Sequence, residues 1–228
     1  TRELTESLER QTATSEVLNV ISRSTSEVQP VLDTIVNTSG RLCGADYAMV
    51  FRLRDGQYHL AAAHGADPDF VAFVQANPIS PGHGTLTGRT ALEKRTVYIQ
   101  DALNDPTYQW REAAVKGNYR TTLGVPLLRS GEAIGVIALV SREVKAFTEK
   151  QVELVETFAD QAVIAIENAR LLEELRDRSA DLARSVQELE ALGEVGRAVG
   201  STLDLDKVLD IVMSRARDLG RSEGCSIF

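Results

Sequence analysis

Thr148-Glu-Lys-Gln-Val-Glu-Leu-Val-Glu-Thr-Phe-Ala-Asp-Gln-Ala-Val-Ile-Ala-Ile166 shows where a helix starts and which of its faces is buried. Thr148 and Gln151 form a capping box, in which the threonine hydroxyl takes the amide of Gln151 and the glutamine side chain reaches back. Such a cap contributes about 1 kcal/mol. Val152, Val155, Phe158, Ala159, Ala162, Val163 and Ile166 then recur at helical spacing, a broad stripe made to lie against a sheet or another helix. Past Asn168 the stripe narrows to a heptad seam: Leu172 and Val186, with Ser179 between them, on one set of positions, and Leu175, Leu182 and Leu189 on the other. A domain-packing helix becomes a coiled-coil helix. With no Gly or Pro between Thr148 and Leu192, it would run roughly 65–70 Å at ~1.5 Å per residue. That is longer than one domain is wide, so the helix carries something onward.

The frame around it is globular. A chain of 228 residues with 43% hydrophobic content has room for one large or two small domains. A formal net charge of -8 with dispersed basic residues argues against nucleic acid or an anionic membrane as partner. No apolar run reaches the length of a membrane span, and Gly135-Val-Ile-Ala-Leu-Val140 is strand-sized. There is neither a signal peptide nor an initiator Met, so the chain reads as an excised fragment. Cys43 and Cys225 lack metal or redox spacing, which suggests a reducing, cytoplasmic compartment.

Residues 1–27 read as a weak helical seam through Leu4, Leu8 and Leu18, which needs a partner to be stable. Pro30 to Leu42 is an amphipathic helix closed by Gly44. Asp46–Arg54 and Gln57–Ala63 form a hairpin about Asp55-Gly56. A short helix over Asp67–Ala76 precedes the loop Asn77-Pro-Ile-Ser-Pro-Gly-His-Gly84, where prolines and glycines forbid regular structure. Leu86–Lys94 is helical and Thr96–Gln100 a short strand. Asp101–Gly117 is a long loop containing some helix, and Arg120–Arg129 with Glu132–Arg142 make a second hairpin about Ser130-Gly131. Strands grouped into hairpins imply an α+β fold with an antiparallel sheet flanked by helices. The tail repeats the beginning: Val31-Leu-Asp33 to Phe51 aligns without gaps to Val208-Leu-Asp210 to Phe228, a second copy cut off in its first strand.

At Leu42-Cys-Gly-Ala-Asp46, Gly84-Thr-Leu-Thr-Gly-Arg89, Val97-Tyr-Ile-Gln-Asp101, Gly124-Val-Pro-Leu-Leu128, Gly135-Val-Ile-Ala-Leu139 and, most specifically, Phe158 to Leu172, the chain resembles the GAF family of small-molecule sensor domains. The resemblance implies an antiparallel sheet of about six strands with helices on its faces, flanked by long N- and C-terminal coiled-coil helices. It divides the chain into an N-terminal helix (1–27), a GAF domain (28–172), a signalling helix (173–192) and the start of a second GAF domain (193–228). Domains of this look often stand in tandem ahead of histidine-kinase, cyclase or phosphatase output domains. The expected whole is a sensor histidine kinase or nucleotide cyclase whose catalytic part lies outside this chain. The asparagine-lysine-phenylalanine-aspartate-glutamate set of cyclic-nucleotide binders is missing. So are the cysteine of bilin binders and the multiple cysteines of methionine-sulfoxide-reducing members, so the cofactor or ligand stays unknown.

Site candidates follow from the irregular segments. His59, His64 and His83 do not converge, so no metal site is expected, and no catalytic motif is found. His83, Thr85, Thr87 and Arg89 surround a helix start whose free amides suit an anionic group; the alternative is an ordinary glycine loop and cap. Trp110, Tyr119 and Arg120, with Tyr108, flank the loop that closes the pocket in this family, and Trp110 reads as either a lid or a core residue. Asp101 and Asp105 read as cap or turn residues. The expected partner is a second copy, in parallel, through Leu172, Leu175, Leu182, Val186 and Leu189, with no nucleic acid or membrane. Two functions remain open: a module that binds a small ligand and biases the long helix, or a ligand-free dimerisation and relay module.

Overall fold

A computed structural model of the chain describes residues 28–202. The N-terminal helix expected over 1–27 and most of the repeated segment at the other end lie outside the described residues. The elements are α1 (Gln29–Leu42), β1 (Tyr47–Arg54), β2 (Gln57–His64), α2 (Pro68–Ala76), α3 (Leu86–Glu93), β3 (Val97–Ile99), α4 (Arg111–Lys116), β4 (Thr121–Arg129), β5 (Glu132–Ser141) and α5 (Glu149–Thr202). The five strands form one antiparallel sheet in the order β2-β1-β5-β4-β3.

The expected count of about six strands is corrected to five among the described residues. On the far side of β2 a single bridge joins Tyr58 to Ile79, with backbone bonds of 2.7 and 3.0 Å. Pro78 and Pro81 flank that bridge and have no N–H to extend a ladder, so a sixth strand cannot grow there.

Both hairpin turns use the residues foreseen for them. Asp55 and Gly56 take φ of 50° and 79°, and Ser130 and Gly131 take 52° and 81°, the paired left-handed geometry whose twist matches antiparallel strands. With the register set, side chains alternate between two cores. Ala48, Val50, Leu123, Val125, Leu127, Ile137 and Leu139 face α1 and the first part of α5. Tyr47, Met49, Phe51, Val136, Ala138 and Val140 face the opposite side, against α2, α3, α4 and their loops. The helix α3 lies so close on β4 that a Cβ at Gly124 would strike Thr90 Oγ1 and Leu86.

The capping box at Thr148 is formed, with Gln151 Oε1 accepting from Thr148 N at 2.8 Å and Thr148 Oγ1 from Gln151 N at 3.3 Å. Gln151 Nε2 also donates to Cys43 O at 3.0 Å, tying the start of α5 to the end of α1. Val155, Phe158, Ala159, Ala162 and Ile166 of the broad stripe are buried, joined by Leu154 and Ala165. The helix is unbroken through Leu192 and continues past Gly193, Gly196 and Gly200 to Thr202. Phe158 is fully buried in the core shared by α1, α5 and the sheet. Its replacement, Phe158→Ala, is expected to lower stability by about 3–5 kcal/mol, read as a fall in the urea midpoint with little change in slope.

Candidate ligand-binding site

Over the second face of the sheet runs a roof made from the 77–85 loop with α3 and from the 101–110 loop with α4. Thr85 caps α3, its Oγ1 accepting from Gly88 N at 2.9 Å. Gly88 lets the preceding loop lie on the helix, since a Cβ there would come within 2.7 Å of Ser80 O and 2.8 Å of Gly82 O.

Arg89 projects from α3 and joins the two loops. Its Nη1 donates to Asp105 Oδ2 at 3.0 Å and its Nη2 to Thr107 Oγ1 at 2.6 Å. Nε and Nη2 also reach His83 O at 3.1 and 2.9 Å. Asp105 makes its own turn by accepting from Thr107 N at 2.7 Å and Tyr108 N at 3.0 Å. Burial works against the Asp105 charge, but the bonds from Arg89 and Thr107 outweigh it and hold the carboxyl at about 2. A second clasp pairs Arg120 with Asp101, with Nε to Oδ1 at 2.7 Å. The Arg120 hydrogen bond is the main cause holding Asp101 below its ordinary range. Gln109 N to Gly84 O, 2.8 Å, closes the seam between the loops.

Between roof and sheet lies a cavity of about 40 Å³. Aromatic rings shape it: Tyr47 meets Phe70 edge-on at 5.8 Å, and outside them Trp110 stacks on Phe73 at 5.9 Å. Tyr47 donates to Gly117 O at 3.1 Å, and the Tyr108 and Tyr119 hydroxyls share a 2.5 Å bond. Burial pushes the Tyr108 hydroxyl up to about 12 and those of Tyr119 and Tyr47 well above the ordinary value, so all three stay protonated. Thr122, one of the few polar side chains on the wall, is buried, and its Oγ1 has no hydrogen-bond partner among the described residues. An outer recess of about 330 Å³, lined by Asn77, Pro78, Ser80, Gly84 and Gln109, shares Ile79, Thr85 and Trp110 with the inner cavity.

Of the residues singled out in the sequence, Thr85, Thr87, Trp110 and Tyr119 come together on the cavity wall. Arg89 and Arg120 do not; their guanidinium groups are held in the clasps. His83 is exposed, its Nδ1 3.6 Å from a Glu93 carboxylate oxygen. Asp101 and Asp105 are the turn residues foreseen, and they also hold the two arginines. Sequence reasoning missed Tyr47, Phe70 and Thr122 on the wall. For Thr122 strand alternation was the available signal, because the even positions of β4 share one face with Val136, Ala138 and Val140 of β5. Cys43 sits in the other core, so no described thiol reaches the cavity. Among the described residues no group of three or more His, Cys, Asp or Glu side chains is placed to hold a metal. Nor is any described helix long and apolar enough to cross a membrane.

A family model described as "GAF domain" matches residues 25–167, well over half of the chain. The chain belongs to the GAF domain family. No curated protein matches it. Among solved structures, the GAF domain from a phosphoenolpyruvate-protein phosphotransferase (ptsP) of Coxiella burnetii is similar at 21% identity and TM-score 0.63, over 73% of this chain and 98% of that one. Free methionine-R-sulfoxide reductase from Neisseria meningitidis, in complex with its substrate, is similar at 19% identity and TM-score 0.60, over 74% and 93%. A domain assigned to a two-component sensor histidine kinase of Sinorhizobium meliloti 1021 follows at 16% identity and TM-score 0.55, over 66% and 98%. At these identities the likeness carries the GAF fold alone.

The clasp gives the GAF roof an acid-labile element. The folded value of Asp105 lies below the ordinary 3.8, so its stabilisation is fully present above that value and is lost as pH falls toward about 2. The melting-temperature gap between the parent and Asp105→Asn is therefore expected to be widest at roughly pH 5–7 and to close progressively as pH falls from about 4 toward about 2, as read by circular dichroism.

Proposed function

We propose that this GAF domain is a sensory module in which a small ligand, held between roof and sheet, biases α5 and is relayed along it to a downstream output domain. The observation that carries the reading is the thinness of the wall. In β4 and β5, Thr122, Ala138 and Val140 face the cavity, while their chain neighbours Leu123, Ile137 and Leu139 pack in the core that holds Val155 and Phe158 of α5. A roof that shifts on binding moves strands that touch the helix directly. Such a shift follows only if ligand binds the two arrangements with different affinity.

The relay runs through a parallel dimer. Leu175, Leu182 and Leu189 are exposed on α5 at heptad spacing, and Arg178 pairs with Glu174 at 2.6 Å on the flank. A histidine kinase is the output we favour, in line with the Sinorhizobium meliloti likeness. Residues 193–228 are the start of a second GAF domain in this reading, and the protein works in the cytoplasm.

A second reading, a ligand-free dimerisation and relay module, draws on the size of the cavity. Its 40 Å³ compares with roughly 300–1,000 Å³ for ordinary ligand pockets. A metabolite screen by thermal shift separates the two. A binding compound at about a hundredfold its Kd is expected to add about 2.7 kcal/mol of stability. No response across the screen, with native mass spectrometry finding no retained metabolite, favours the ligand-free relay. For the dimer, sedimentation at tens of micromolar is expected to give two chains for the parent and one for the Leu182→Asp, Leu189→Asp variant. A monomeric parent overturns the relay through α5.

A further inference from the structure

On the sensing reading of the cavity, we propose that its ligand is an uncharged small molecule with an aromatic or branched apolar body and one hydroxyl-type group, anchored on Thr122 and admitted past Trp110. Phenols and aromatic alcohols are the chemical class.

Charge is what the site lacks. Every residue on the wall of the inner cavity is aliphatic, aromatic or threonine, and the outer recess adds only amide, hydroxyl, proline and glycine groups. An ionised ligand would leave water without a counter-charge, which a low-dielectric pocket strongly disfavours. Arg89 and Arg120, the two arginines singled out in the sequence, are held by Asp105 and Asp101, and Arg111, next to Trp110, is exposed. The three tyrosine hydroxyls are protonated, and those of Tyr108 and Tyr119 already bond one another. The Thr85 hydroxyl is taken up by the helix cap. Ser39, Thr90 and Thr122 carry the buried hydroxyls without a partner among the described residues, and of these Thr122, 2% exposed, is the one on the cavity wall, which it shares with Thr87; its Oγ1 can donate and accept, and buried polar groups of this kind are satisfied in native proteins.

Size sets the route. The inner cavity of about 40 Å³ is far smaller than the roughly 150 Å³ known to take a benzene ring. A ring therefore enters only by joining that space to the outer 330 Å³, and Ile79, Thr85 and Trp110 are the partition. Trp110 is the movable member. It stands half-buried at the start of the short α4, on a loop, with Phe73 as its stacking partner. It is also the only tryptophan of the chain, so emission excited at long wavelength reports on this partition alone.

The experiment titrates the chain with phenol, benzyl alcohol and benzoate, reading Trp110 fluorescence and melting temperature, for the parent and for Thr122→Val. Phenol or benzyl alcohol is expected to change the emission and raise the melting temperature, while benzoate does neither. Thr122→Val, which replaces the orphaned hydroxyl by a methyl of similar size, is expected to melt no lower than the parent and to bind the alcohols about tenfold more weakly. Response to benzoate but not to the neutral probes overturns the uncharged class and leaves sensing intact. Unchanged affinity in Thr122→Val overturns the anchor. Silence to all three probes overturns the inference; a hit in the metabolite screen would then keep the sensing reading, and its absence would remove that too.

Discussion

The alternation of side chains along β1, β4 and the Val136–Val140 part of β5, beyond the bulge opposite Leu127 and Leu128, is the constraint on which the other features depend. A slip of one residue would carry Leu123, Ile137 and Leu139 to the roof side and bring Thr122 against α5, exchanging two cores of different chemistry. The register resists such a slip at both hairpins, where paired left-handed residues leave room for one loop length only. Gly135 reinforces it, since any Cβ there would collide with Phe51 O at 2.5 Å, so no other β5 residue fits opposite that point of β1. The sheet is thereby a wall one residue thick, dry and aliphatic on one side and aromatic with isolated hydroxyls on the other.

The two sides are held by different means, and their capacity to move differs accordingly. On the α1 and α5 side, burial of large apolar side chains such as Leu32, Ile35, Val155 and Phe158 fixes the packing. On the roof side, residues such as Phe70, Leu86, Tyr108 and Tyr119 are also buried, and the irregular segments are tied in addition by the Arg89 and Arg120 clasps. Ion pairs near a surface contribute modestly compared with packing, so these clasps set geometry more than stability. Irregular segments joined by polar contacts are where local opening costs least. A helix side packed by large apolar residues and a clasped roof side are compatible with the sensing and relay proposed above.

Most of the fold was legible because its signals were local. The capping box at Thr148, the Asp-Gly and Ser-Gly turns and the broad stripe on α5 each specify a structure within a few residues, and each is found where its residues point. The count of strands was not legible from such signals, since the Tyr58 to Ile79 bridge depends on a tertiary approach that Pro78 and Pro81 cut short. The cavity wall was half legible. Thr85, Thr87, Trp110 and Tyr119 belong to the irregular segments that drew notice, whereas Tyr47, Phe70 and Thr122 sit in regular elements and read as ordinary core. Arg89 and Arg120 stand in the clasps for a physical reason. An arginine near a glycine-rich helix start suits an anion, but a carboxylate supplied by the chain itself, Asp105 or Asp101, takes that place first.

The helix α5 changes character where its sequence changes period. Arg129 of β4 donates to Glu167 at 2.6 Å, and Arg170 stands 3.5 Å from the same carboxylate, so residues 166–170 mark the end of the face that the domain covers. From 175 to 190 every residue is exposed, and the leucines among them are more than 60% exposed. An isolated helix of this composition is marginal in water, because propagation alone barely offsets the loss of chain entropy and most helical stability comes from burying an apolar face. The face exists, at a spacing of seven, and it is too narrow to cover a sheet but matches the seam of a two-stranded coil. An unbroken helix to Thr202 with glycines at 193, 196 and 200 is therefore hard to sustain by one chain. In the dimer proposed above, a second helix covering that seam would supply the missing burial, and the same covering would make a tilt of the first helical turns on the sheet felt by both chains at once.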